Sequence, residues 1–253
     1  EAIYRPYKQK RRTRAMIAKE KGVQPLADLM CAQRRGDDPL ALARAYVNEA
    51  KGGPDAETAV QLAQDSLAEQ ISDDAAIRAS LRALCRRTGV LRSAAAKEGE
   101  SVYAQYADYR EPVLRAAGHR ILAINRGERE EWLKVTVECD DEQAVQLICR
   151  AGIRPGRAGC AVVRAAAKDA WGRHIGPSLE REIRSELTDK ANEGAIRVFG
   201  DNLHQLLMQP PIRGKVTLGV DPGFRTGCKL AVVDETGKVL ETGVGYFTLP
   251  NHE

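Results

Sequence analysis

The sequence predicts a mainly α fold, a multi-helix core that runs into one long spine helix and is followed by a short strand-rich tail. Three observations carry that reading. Apolar residues recur at spacings of three and four through most of residues 24–209, the period of a helix face. Ala, Arg and Leu are plentiful, while aromatic residues make up only 5% of the 253 residues, a mixture suited to closely packed helices. Only residues 215–246 read as extended, with Val216, Leu218 and Val220 alternating with Thr217 and Gly219.

The chain opens on a basic arm, residues 1–22, in which Arg5, Lys8, Lys10, Arg11, Arg12, Arg14, Lys19 and Lys21 stand against Glu20 from Tyr4 onward. Thr13 is placed to cap a short helix that Gly22 ends. Lys8, Lys10, Arg11, Arg12 and Arg14 are candidate phosphate contacts, with Tyr4 and Tyr7 available for stacking. The alternative is an arm that is solvated or paired within the chain.

Pro25 suits a first helical position, with Leu26, Leu29 and Met30 on one face and Gly36 as the stop. Asp38-Pro39 begins a second helix and Asp55 caps a third; the segment 72–74 starts a fourth through Ile77, Leu81 and Leu84. On that fourth helix Arg78, Arg82 and Arg86 share one face through their four-residue spacing. Such a stripe either follows a phosphate backbone or pairs with acidic faces of neighbouring elements.

Tyr103, Tyr106 and Tyr109, three residues apart, are expected along a helix edge with their rings inward. A helix over 119–131 is expected to break at Gly127, and residues 133–137 alternate as one isolated strand. His119 has no Cys, Ser or His partner nearby and reads as structural. After helices through Ala144–Ile148 and Val162–Trp171, Pro177 starts the longest pattern: Leu179, Ile183, Leu187, Ala191, Ala195, Phe199, Leu203 and Leu206, stopped by Pro210-Pro211. A helix over about 177–209 spans on the order of 45 Å, with Gly194 and Gly200 as expected kinks. The expected division is a helical part over 1–211 and a second domain beginning at 212.

In the tail, three short antiparallel strands are expected, the first ending on Asp221 beside a turn whose Gly223 and Gly227 permit close approach of backbone or ligand. A strand ending in Asp, a Gly-containing turn and two meander strands form the opening of an RNase H-like fold. Asp221 would then be the first ligand of a metal-dependent nuclease or resolvase, or the glycines would cradle a phosphate in an actin-like ATPase. The Asp-Pro-Gly turn lacks the Gly and hydroxyl run of phosphate cradles. The simpler role is that Asp221 serves the turn. Either chemistry needs partners later in the domain, so no complete catalytic constellation, metal site or cofactor is expected. An incomplete sheet has an unpaired edge, so residues 215–253 are expected to be mobile or paired with the spine or another chain.

The formal net charge of +4 is too small to demand a nucleic-acid partner, so the local clusters must make that case. The six cysteines show no C-x-x-C pair, so zinc and disulfides are not expected, and each reads as a small buried residue in a reducing cytosol. No apolar run is long enough for a bilayer and the start has no signal core, from which a soluble cytoplasmic protein is expected. The charged start and the end after the third strand fit a fragment of a longer polypeptide.

Four stretches, YRPYKQKRRTRAMIAKEKG, YADYREP with GHRILAINRGE, IGPSLEREIRSELTDKANEGAIRVFGDNLHQLLMQPP and LGVDPGFRTGCKLAVVDETGKVL, lie in order across the whole chain. In them the chain resembles the Tex family of bacterial transcription accessory proteins. The resemblance implies a cytoplasmic, multi-domain, RNA- or DNA-binding protein that acts around the transcription machinery. It implies a helical core followed by a YqgF-type RNase H-like domain, then helix-hairpin-helix elements and an OB-fold to which nucleic-acid binding is largely ascribed. The chain would hold most of the core and the first YqgF strands, with Asp221 at the first resolvase carboxylate position. A non-enzymatic nucleic-acid-associated scaffold is the leading expectation, and a resolvase-type nuclease the alternative.

Overall fold

The computed structural model describes residues 12–34, 36, 38–47, 55–152, 157, 159–210, 212, 214–223 and 225–246. The chain divides into two compact units, residues 1–195 and 196–253. Helices α1 (Arg14–Glu20), α2 (Gln24–Ala32), α3 (Pro39–Arg44), α4 (Ala56–Asp73) and α5 (Ala75–Thr88) open the first unit. Their starts are set by local chemistry: Thr13 Oγ1 accepts from Met16 N, and Asp38, Asp55 and Asp74 accept at the heads of α3, α4 and α5. Gly22 follows α1 at φ 78° as expected. The stop of α2 differs from expectation, because Gln33 itself takes the left-handed conformation at φ 45°, ahead of Gly36. The buried Gln33 amide holds that bend by donating to the Gly152 carbonyl at 2.7 Å.

The small side chains explain the close packing. Ala15 and Ala18 of α1 and Ala59 and Ala63 of α4 are buried, and α1 packs on α4. Leu26, Met30, Leu67 and Leu81 fill the space between α2, α4 and α5 with no more than 2% exposure, the core expected of their helical stripes.

The strand at 133–137 is not isolated. A three-stranded antiparallel sheet in the order β2-β1-β3 joins β1 (Val90–Ala95), β2 (Asp108–Pro112) and β3 (Leu133–Glu138). Leu91 lies opposite Glu111 and Val137, and Ser93 opposite Tyr109 and Val135. The three tyrosines therefore do not line a helix. Tyr103 and Tyr106 flank and end a short 3-10 turn and Tyr109 lies in β2, with the Tyr106 and Tyr109 rings edge to face at 5.5 Å. Helix α6 (Gly118–Arg129) runs through Gly127 rather than breaking there. A Cβ at Gly127 would stand 2.6 Å from Leu133 Cδ1, so the glycine is there for the close approach of α6 to β3.

Helix α7 (Asp141–Gly152) precedes α8 (Cys160–Asp169), a π-helical turn at Ala170–Ile175, and α9 (Gly176–Leu207). The break in this stretch therefore falls ahead of Pro177, and the helix continues through Gly194 and Gly200. The turn is tied down on both sides: Trp171 Nε1 donates to Asp141 Oδ1 at 2.7 Å, and Arg173 pairs with Asp169 and Asp65. The 32 residues of α9 extend about 48 Å. Its buried residues are Leu179, Ile183 and Ala191, all in the first unit.

The second unit contains the antiparallel meander β4 (Thr217–Asp221), β5 (Cys228–Val233) and β6 (Val239–Gly245), as the alternation predicts. Asp234 builds the β5–β6 turn by accepting from Thr236 N at 2.8 Å and Lys238 N at 3.0 Å, which holds its carboxyl below the usual range. With β5 central, β4 and β6 are the edges of this sheet among the described residues.

Candidate nucleic-acid interface

Lys8, Lys10 and Arg11 of the basic arm lie outside the described residues. Arg12 and Arg14 are exposed but each meets a carboxylate: Arg12 Nη2 is 2.8 Å from Glu20 Oε2, and Arg14 Nη1 is 3.8 Å from Asp65 Oδ1. The Arg12 pair is solvent-exposed on both sides and weak, leaving that guanidinium available to a phosphate at little cost. Asp65 is a nearly buried carboxylate shared with Arg173 at 3.3 Å, so Arg14 is the more firmly held of the two.

The arginine face of α5 is turned inward, onto α9. Arg78 is 3% exposed and donates to Ser178 Oγ at 2.9 Å and to the Ser72 carbonyl at 3.4 Å. Arg82 grips both carboxylate oxygens of Glu182, the Nη2–Oε2 contact measuring 3.1 Å. Arg86 does the same to Glu186, with Nε–Oε2 at 3.0 Å, and the bond holds the guanidinium pKa above its ordinary value. The partners advance in the same four-residue steps, each 100 residues on, so α5 and α9 run parallel and are joined by three successive rungs. Of the two readings open to this stripe, intramolecular pairing is what the structure contains. Glu182 and Glu186 were missed in the sequence, although their spacing copies that of Arg82 and Arg86.

A second missed set fixes the other side of α9. Arg184 donates to Glu128 at 2.8 and 2.5 Å, to Asn125 at 3.2 Å and to the Val135 carbonyl at 3.1 Å. Glu180 Oε1 accepts from Val137 N at 3.2 Å. These two side chains satisfy outward-facing backbone groups of β3, so α9 covers an edge that would otherwise template further strands.

Asp221 is exposed at the end of β4, with Lys229 as its cross-strand partner. It borders a shallow groove of about 740 Å³ floored by Gly219 and Ala231 and flanked by Lys229 and Thr242. The adjoining turn uses its glycines for backbone contact: a Cβ at Gly223 would lie 2.7 Å from the Gly227 carbonyl oxygen, and Gly227 has φ 80°. Among the described residues no three His, Cys, Asp or Glu side chains gather as metal ligands. One carboxylate beside a lysine does not fit a two-metal site, so these side chains support no metal-dependent step. No helix among the described residues is long and apolar enough to cross a membrane.

A helical core stapled to a long helix, with an Asp-ended strand opening a second sheet, defines a mainly α protein leading into the start of an RNase H-like domain. Comparison with known proteins makes this specific. The Tex central region-like family matches residues 34–199 and the Tex protein YqgF-like domain matches residues 215–253, and the chain belongs to the Tex family. It is 44% identical over 251 residues to the uncharacterized protein YdcI of Bacillus subtilis (strain 168), covering 97% of this chain and 35% of that protein. It is 38% identical over 265 residues to the transcriptional accessory protein Tex of Neisseria gonorrhoeae, covering 100% of this chain and 34% of the relative. The human S1 RNA-binding domain-containing protein 1 is 31% identical over 264 residues, covering 97% of this chain and 26% of its own length. The chain thus spans about a third of the length of the first two relatives.

Proposed function

We propose that this chain is the helical core and opening YqgF strands of a nucleic-acid-associated scaffold that works with the transcription machinery in the cytoplasm and has no catalysis of its own. The observation that carries the reading is the match to Tex central-region and YqgF-like sequences in order along the chain. The fastening of α9 to the core supports it, because the side chains that hold α9 are spent on rigidity rather than on a reaction centre. The proposed domains are 1–211 and 212–253. Within this chain, phosphate contact falls to Lys8, Lys10, Arg11, Arg12 and Arg14, while Arg78, Arg82 and Arg86 serve the spine.

The test titrates the chain against single-stranded RNA and duplex DNA at several salt concentrations. Weak binding with a steep salt dependence is expected. Replacing Lys8, Lys10 and Arg11 with Gln should flatten the log–log salt slope for single strands by about 2. Binding that is absent at low salt, or indifferent to the arm, refutes the assignment.

The second reading, a resolvase-type nuclease with Asp221 as first metal ligand, is favoured by the open groove beside that carboxylate. Incubation of the family's full-length protein with branched and single-stranded DNA in Mg²⁺ or Mn²⁺ separates the two. Cleavage abolished by Asp221→Asn would establish the enzyme, and no cleavage would leave the scaffold.

A further inference from the structure

Cys85 is fully buried in the last turns of α5, and its carbonyl accepts from the Gly89 N–H at the turn into β1. Cys139 is half-buried and directly follows β3, whose last residue, Glu138, pairs with Val90, the first residue of β1. The end of α5 and the end of β3 are therefore neighbours, and the Cys85 thiol hydrogen-bonds to the Cys139 sulfur. The proposed scaffold function does not use this pair.

We infer that Cys85 and Cys139 are a peroxide-responsive thiol pair that closes to a disulfide, with Cys139 as the attacked sulfur and Cys85 as the resolving one. The Cys139 thiolate attacks one oxygen of hydrogen peroxide, the O–O bond breaks, hydroxide leaves and Cys139 becomes a sulfenic acid. The Cys85 sulfur, its proton passing to the departing hydroxyl, then displaces it from Cys139, forming the S–S bond and releasing water. Two thiols are oxidised and one peroxide is reduced to two waters. The asymmetry of the pair assigns the roles. The hydrogen bond from Cys85 holds the Cys139 thiol below its ordinary pKa, against its burial and the carboxylates of Glu180 and Asp141. The same hydrogen bond and burial push Cys85 far above its ordinary value, so it attacks only once its partner is oxidised. Cys85 lies between Arg82 and Arg86, and Cys139 between the residues that meet Glu180 and Trp171, so closure would lock the seat of α9.

The test treats the reduced chain carrying Cys149→Ser with hydrogen peroxide, so that the tryptic peptide 135–150 has one thiol, and maps the products by mass spectrometry. A link between the peptides containing Cys85 and Cys139 is expected. In Cys85→Ala the sulfenic acid should persist at Cys139 and be trapped by dimedone. In a chain with all six cysteines, oxidation should be at least about tenfold faster at Cys139 than at Cys149, whose thiol is pushed up by burial. Cys139 recovered as sulfinic acid or unreacted, with Cys85 unlinked in the chain that retains it, overturns the inference. Should Cys85→Ala fail to fold, the cross-link map alone decides.

Discussion

Replacing Arg82 and Glu182 singly and together with Gln tests whether the arginine face of α5 belongs to the fold. Their side chains are 19% and 33% exposed and meet through two parallel N–H···O contacts. Fully exposed ion pairs couple by about 0.2–1 kcal/mol, and a bidentate, partly desolvated pair belongs at the top of that range, about 1 kcal/mol. The assay is urea unfolding followed by tryptophan fluorescence, which reads the first unit alone because both tryptophans, Trp132 and Trp171, lie within residues 1–195. With a slope of about 2 kcal/mol/M, the coupling corresponds to a midpoint difference of about 0.5 M between the double variant and the sum of the singles. RNA affinity and its salt slope should be unchanged. A coupling indistinguishable from zero, together with a reduced salt slope in Arg82→Gln, would refute the structural role and return this face to nucleic-acid contact.

Ile183→Ala removes a side chain 1% exposed between α9 and the core and should cost about 2–5 kcal/mol by the same fluorescence assay. Gly127→Ala should cost about 1 kcal/mol, since overpacking Leu133 and Tyr103 by about 1–3 kcal/mol outweighs the gain of about 1 kcal/mol in helix preference. Asp55 caps α4, and the Thr58 N–H holds its carboxyl below the usual range. Because the folded value is the lower one, the stabilisation is full above the unfolded pKa of about 3.9 and is lost as pH falls through the folded value. The Tm gap between the parent and Asp55→Ala should accordingly be widest near neutrality and close in acid; a gap that is constant with pH would exclude the carboxylate as its source.

The features legible in the sequence were those whose causes lie within a few residues. Thr13, Asp38, Asp55 and Asp74 announce helix starts because a cap bonds to N–H groups two or three residues ahead. The β5–β6 turn was visible for the same reason, since Asp234 folds back on its own neighbours. The sheet partners of β3 were not visible. Residues 90–95 alternate weakly and Asp-Tyr-Arg-Glu-Pro is polar, so β1 and β2 are strands by virtue of the register with β3. The Arg78, Arg82, Arg86 spacing was plain, but the identity of what it faces was not, because Ser178, Glu182 and Glu186 are brought there only by the chain's return through α9. The candidate site divides the same way: Asp221 and its glycines announced a turn, whereas donors for any metal are a matter of long-range assembly.

The parallel rungs between α5 and α9 also set how the core bears load. A pull along the α9 axis shears Arg78–Ser178, Arg82–Glu182 and Arg86–Glu186 together, so the bonds share the force and must yield as a group. A pull across the axis peels them one at a time, starting from the outermost and most exposed rung, Arg86–Glu186. The first unit is therefore mechanically anisotropic, stiff to tension along its longest helix and compliant to a sideways tug.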